Sequence, residues 1–347
     1  MPLPYHLETW GPAYLRGLAR GLLARRTEAR RLWVAITDHF EPYWRKAGGE
    51  LALARVRNWV ERWPEVAQRH PDIDGRPARY SFFYPAEEYH AGLMDRLAAL
   101  CQAGYGDVEV HLHHDRDTES AFLDRMGAFV ETLHARHGLL RKVDGRIAFG
   151  FIHGNWCLDN SGPDGRWCGL NNEISLLRGL GCYADFTMPC GPLPMQARML
   201  NEIYWATDDP AKPKSYDRGT PARPGAGALG DLLMIPGPFG LRWEGRLKPF
   251  LDIGEIGYNQ SVTPARVRFW LRTAPRIGAD VFLKLFAHGT QERHSSAFFG
   301  GGLLDTLYAS IRQVCEDDGI EYRFATAFEM WRAVTGLTAA GGGLGAE

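Results

Sequence analysis

Short apolar runs alternate with stretches of helical period along most of the chain. Residues 33–37 (WVAIT), 80–84 (YSFFY), 107–113 (DVEVHLH), 146–154 (RIAFGFIHG), 281–289 (VFLKLFAHG) and 321–326 (EYRFAT) read as strands, because β-branched and aromatic residues fill them. Between them lie 51–70, 88–104, 119–138, 171–181, 264–278 and 303–319, whose apolar residues recur at three and four positions. Several of these end at glycine, a helix stop. The segment 327–334 (AFEMWRAV) predicts a closing helix. Strand and helix in repeated alternation imply parallel strands joined by crossover helices, hence an α/β fold that closes into a barrel or stays open and doubly wound.

Two stretches break the rhythm. Residues 16–33 (RGLARGLLARRTEARRLW) mix arginine with Leu and Ala at helical spacing, which predicts a solvated amphipathic helix. Residues 190–260 are rich in Pro and Gly, with DLLMIPG the one strand-like run, and are expected as a loop insertion over one face. The expected organisation is an N-terminal helical extension (1–32), a single catalytic domain (33–335) and a disordered tail (336–347).

The 347 residues are 45% hydrophobic and 23% charged with net charge −1, which gives no electrostatic footprint for nucleic acid. No run reaches the roughly 18 apolar residues of a membrane span, and no signal peptide opens the chain, so a cytoplasmic protein is expected. Of six cysteines, Cys157, Cys168, Cys182 and Cys190 cluster without any C-x2-C pair, so they read as buried thiols rather than a zinc knuckle.

Chemistry-bearing residues gather where the strands end. Asp38, His39 and Glu41 follow the first strand, VEVHLHHDRD (108–117) closes the third, His153 and Asn155 close the fourth, Asp185 a later one, and His288 the next to last. In a parallel barrel these ends form the active face. Alternation puts His111 and His113 on one face of their strand, so the pair can chelate one divalent ion, zinc above all. Asp115 and Asp117 compete as a further ligand or as partners that orient a histidine, and His114 is expected in solvent or in a supporting role. Asp38 is placed as general base for a metal-activated water, His288 as proton donor to the leaving group, and Glu41 as a second acid. Trp156 and Trp167, among Asn and Asp, suit the face and hydroxyls of a sugar.

These ordered features resemble the polysaccharide deacetylases. WVAITDHFEP is similar to that family's first motif, ARYSFFYPAEEY to its second strand, and LMDRLAALCQAGYGDVEVHLHH to the lead into its metal motif. FGFIHGNW, LRGLGCYADFTMP, VFLKLFAHGT and EYRFATAFEMWRAV occupy the later positions, so the resemblance covers most of residues 33–334. It implies a distorted (β/α)7 barrel, a divalent metal ion and removal of N- or O-acetyl groups from carbohydrate. It makes Asp38 the base, puts His39 in place of the usual metal-binding carboxylate, makes His113 the first metal histidine and sets Asp117 where the second is expected. His153, Asn155, Trp156 and Asp185 then face the substrate. HFEPY is also reminiscent of the first motif of family 57 glycosidases, which makes glycoside hydrolysis the alternative, beside a sugar-binding barrel without catalysis. An H-x-H after a strand also occurs in amidohydrolases, there on the first strand.

Overall fold

The computed structural model describes residues 6–23, 28–244 and 248–339. Helix α1 (Leu7–Leu23) leads to β1 (Arg31–His39), α2 (Gly49–Arg69), β2 (Tyr80–Pro85), α3 (Ala91–Leu100) and β3 (Gly106–Leu112). Then come α4 (Glu119–Ala135), β4 (Arg141–Val143), β5 (Arg146–His153), α5 (Glu173–Leu180) and β6 (Cys182–Asp185). Short strands follow: β7 (Tyr204–Ala206), β8 (Thr220–Pro221), β9 (Leu232–Met234), β10 (Gly240–Glu244) and β11 (Lys248–Asp252). The chain ends with α6 (Pro264–Thr273), β12 (Arg276–Ile277), β13 (Asp280–Ala287), α7 (Glu292–Ser295), α8 (Leu303–Asp318), β14 (Glu321–Phe324) and α9 (Ala327–Thr338).

One large, mostly parallel sheet runs β12-β13-β1-β2-β3-β5-β6-β9-β7-β8. β14 pairs with the first half of β1 through Arg31 to Val34, and β2 takes over at Thr37 to His39. A single strand edge therefore serves two neighbours in turn. The outer face of the sheet, with Leu32, Val34 and Ile36, packs on Val56, Trp59 and Trp63 of α2. The inner face, with Ala35, Phe83, Ile152 and Phe282, packs on Met330 and Val334 of α9. Each such side chain contributes roughly 1.5–3 kcal/mol by leaving water. Thr326 caps α9 and Glu329 answers it in a capping box, so the helix starts where the last strand stops.

The parallel α/β expectation holds, and a closed barrel is not formed: among the described residues no ladder joins β9 to β13. The two nevertheless approach, since a side chain added at Gly237, just beyond β9, would lie 2.6 Å from the carbonyl oxygen of Lys284 in β13. Two local expectations need correction. The basic run is not helical to residue 33, because residues 31–33 already pair with β13 and β14; residues 24–27 of that run lie outside the described residues. The 190–260 segment is not only loop, since β7, β8 and β9 extend the sheet and β10 and β11 form a hairpin. Of the expected tail, 336–338 continue α9 and residues from 340 onward lie outside the described residues. No described helix is long and apolar enough to cross a membrane.

Candidate metal centre

At the C-terminal ends of the parallel strands, the inner face carries four histidines around one carboxylate. Alternation along β1 sends His39 inward, and β3 sends His111 inward with His113 just past its end. His288 follows β13 on the next strand over. The rings of His39 and His111 lie 4.9 Å apart, those of His39 and His288 4.7 Å, and those of His111 and His113 4.7 Å. Glu41, two residues after β1, reaches into the middle. Its Oε1 lies 3.4 Å from Nε2 of His111 and 3.5 Å from Nε2 of His113. Ligand atoms of His39, Glu41 and His288, and again of Glu41, His111 and His113, converge within 4.8 Å.

The far nitrogens of the two β3 histidines are already held. Nδ1 of His111 lies 2.9 Å from the Ile152 carbonyl oxygen, to which it donates, and Nδ1 of His113 lies 2.6 Å from Glu87 Oε1. That turns each Nε2 toward Glu41, the orientation that carbonyl and carboxylate partners impose on metal-binding imidazoles. Nε2 of His111 and Nδ1 of His39 are buried with no hydrogen-bond partner. A cation between Glu41, His111 and His113 satisfies the orphaned Nε2 of His111 and the carboxylate together, so the residues present fit a divalent ion.

The charges agree with this. Burial opposes ionisation of Glu41, but the adjacent imidazoles of His111 and His113 outweigh it and hold the carboxyl well below its ordinary range. Burial, with the nearby His288 and His111, keeps His39 neutral, its pKa well below the usual imidazole value. Burial likewise depresses His288 to about 4. His113 goes the other way: burial is outweighed by Glu41 and Glu87, which raise it to about 10. The cluster thus attracts positive charge, and in the absence of an ion a proton on His113 supplies it.

Trp156 joins the centre, its ring 5.5 Å from that of His39 and 6.2 Å from that of His288. It stands at φ +55°, a left-handed conformation that turns the loop back over the strand ends.

Five expected site residues lie elsewhere. Asp38 alternates to the outer face, where its oxygens accept from Tyr80 Oη at 2.6 Å and Gly289 N at 2.9 and 3.0 Å. It is a positioning residue for the loop that carries His288, and burial raises its pKa to about 7. Asp117 turns away from His113 to accept from Arg125 at 3.0 Å, with His114 Nδ1 3.3 Å away. His153 also faces outward, because Ile152 occupies the inner side of β5. Its ring meets His114 instead, with the two Nε2 atoms 2.9 Å apart. Asp185 is buried and accepts both N–H and Oγ1–H of Thr187, shaping the turn after β6. Asn155 serves through its backbone, its N–H pointing to His153 Nδ1 and its oxygen accepting from Cys157 Sγ. His114, expected in solvent or in support, is 6% exposed.

Glu87 is the functional candidate that the sequence reading passed over. It sits beyond β2 in PAEEY, and its only signal was two adjacent carboxylates at a strand end. A separate cleft of about 480 Å³ lies between α1 and residues 198–221, lined by Arg16, Arg198, Arg218 and Glu202. Its lining contains no histidine. No known family's model matches the chain, and the curated proteins contain no match to it.

Proposed function

We propose that the chain is a metal-dependent hydrolase of the polysaccharide deacetylase type, acting on an acetylated sugar from a distorted (β/α)7 barrel left open between β9 and β13. The observation that carries this reading is the convergence of His39, His111, His113 and His288 on Glu41 at the C-terminal strand ends. His111, His113 and Glu41 are the residues that hold the ion, with zinc favoured by imidazole and carboxylate donors. When bound, such an ion polarises a carbonyl oxygen and makes water a nucleophile near neutral pH. His288 is neutral at pH 7, so it accepts a proton and returns it to the leaving amine or alcohol. His39 packs beside it and keeps the ring oriented. Trp156 offers an aromatic face to the sugar ring, and Asp38 holds Gly289 so that His288 stays in reach.

Acetate release from N-acetylated chito-oligosaccharides and from acetylated xylan tests this, with metal content measured on the same protein. His111→Ala/His113→Ala is expected to lose the ion of this centre and at least about 100-fold in rate, and His288→Ala about 10²–10⁴-fold with the metal retained. Acetate release at the wild-type rate in the double variant would overturn the reading.

One observation favours a glycosidase instead. Burial raises Glu88 to about 7 while Glu41, whose charge adds to that rise, is held low. Two carboxyl groups pushed apart in this way suit the roles of acid and base. Cleavage of a glycosidic bond that persists in chelator and fails in Glu88→Gln would select that reading.

A further inference from the structure

On the outer side of the same strands lies a second cluster that the Glu41 centre does not use. His114 follows β3, His153 ends β5, Cys168 lies in the loop between β5 and α5, and Glu173 opens α5. All four are buried, His153, Cys168 and Glu173 completely. One ligand atom from each falls within 4.8 Å of all the others. Nε2 of His114 is 2.9 Å from Nε2 of His153 and 3.1 Å from Glu173 Oε1, and Cys168 Sγ is 3.3 Å from Glu173 Oε2.

The surroundings suit a cation. Burial and the neighbouring Glu173 push the Cys168 thiol well above its ordinary range, so it keeps its proton without an ion, while its Sγ also accepts from the backbone N–H of Asn160 at 3.3 Å and of Leu170 at 3.4 Å, contacts that would support a thiolate beside a cation. Glu173 Oε2 accepts from Asp159 N at 2.7 Å, which leaves Oε1 for the centre. Asp117 lies beside Nδ1 of His114 and is itself held by Arg125. A proton on that Nδ1 turns the lone pair of Nε2 inward, as carboxylate partners do for metal-binding histidines. His114 Nε2 bridges His153 and Glu173 and the Cys168 thiol donates to Glu173 Oε2, so two imidazoles, a carboxylate and a thiol already share one dry space.

The loop gives the cluster a purpose. Between β5 and α5, five non-glycine residues stand at positive φ: Trp156, Asp159, Asn160, Asp164 and Trp167. Such backbone persists only where its surroundings over-determine it, and little regular structure does so here.

We propose that His114, His153, Cys168 and Glu173 form a closed, structural zinc site that staples the 154–172 loop onto the ends of β3 and β5. Two imidazoles, one thiolate and one carboxylate make the four-ligand set that zinc takes, and complete burial leaves no open position for water. On binding, Cys168 loses its proton to solvent, and the proton of His153 sits on Nδ1 rather than Nε2, at the expense of the long 3.3 Å contact with Asn155 N. The site is separate in residues and face from the Glu41 centre. Through Trp156 it fixes the wall of that centre.

His111→Ala/His113→Ala protein, loaded with Co²⁺ and in parallel with Zn²⁺, isolates this site. Expected are a thiolate-to-cobalt charge-transfer band and, by X-ray absorption, one Zn–S distance of about 2.3 Å. Cys168→Ser added to that protein is expected to remove both. Cys182→Ser is expected to leave both, since that thiol lies outside the cluster. If Cys168→Ser does not fold, thiol labelling of the unsubstituted protein decides: zinc is expected to protect Cys168, and chelation to expose it. An ion bound through nitrogen and oxygen alone, or a Cys168 thiol that reacts equally with and without zinc, would overturn the proposal.

Discussion

Glu87 shows how much the candidate metal centre depends on a residue outside its set of possible ligands. Its Oε1 lies 2.6 Å from Nδ1 of His113 and also accepts the backbone N–H of that residue. It fixes both the ring and its tautomer. Glu87→Gln keeps the shape and removes the charge, and is expected to weaken metal binding by about 10–100-fold while leaving the fold intact. A competition titration against a chromogenic chelator measures this, and unchanged affinity would mean that His113 is oriented by Glu41 alone. At the residue scale one rule, the alternation of side chains along a strand, both reveals and separates site residues. Period-two alternation places His111 and His113 on one face, as found. The same alternation separates Asp38 from His39, although adjacency at a strand end suggested that they act together. Glu87 and Glu173 were out of reach, because each meets its histidine across chain distances that only the folded sheet closes.

Elements place these residues through a few close approaches. The loop after β13 is held at three points, by β1, by α2 and by the turn after β1: Gly289 N donates to Asp38, Trp59 Nε1 donates to Gly289 O at 2.9 Å, and Thr290 Oγ1 donates to Glu41 O at 2.8 Å. A side chain at 289 would lie 2.2 Å from Asp38 Oδ2 and 2.3 Å from the Trp59 ring. Gly289→Ala is therefore expected to cost about 1–3 kcal/mol in urea unfolding, and to lower activity by shifting His288. Gly179→Ala, inside α5 with nothing within 4 Å, is the contrast. It is expected to stabilise by about 0.5–1 kcal/mol. Equal effects of the two would show that the clamp is slack. Long elements were legible because burial of one face imposes a period on the sequence. The strands of 190–260 were not, because two or three residues are too few to display one, and their pairing is set by distant partners.

At the scale of the whole molecule, parallel order followed from the strand and helix alternation, while the shape of the sheet did not. β1 shares one edge between β14 and β2, and β13 meets the far side of the curl through loops rather than through a strand ladder. Lys284 stands at that approach. It is 1% exposed, on the inner face of β13, and its Nζ donates to Met188 O at 3.1 Å across the gap. Burial lowers its pKa from 10.5 to about 7, against the pull of Asp185 and Cys190. A lysine depressed in the folded state binds its proton more weakly there than in the unfolded chain, so it detracts from stability wherever the unfolded chain is protonated. The loss is full below about pH 7 and fades as pH rises toward 10.5. Asp185 is raised by burial to about 7, so its own contribution changes between 3.8 and 7 and leaves the higher window to Lys284. Lys284→Met fills the same space without the charge, and Met188 O keeps the N–H of Gly237 at 3.0 Å. The variant is expected to be more stable by about 1–4 kcal/mol at pH 7, with the gain shrinking steadily to pH 10. Urea unfolding at pH 7, 8.5 and 10 measures it. A gain that stays flat with pH would assign the effect to packing, and a loss at every pH would make the Nζ bond to Met188 a net tie across the open edge of the sheet.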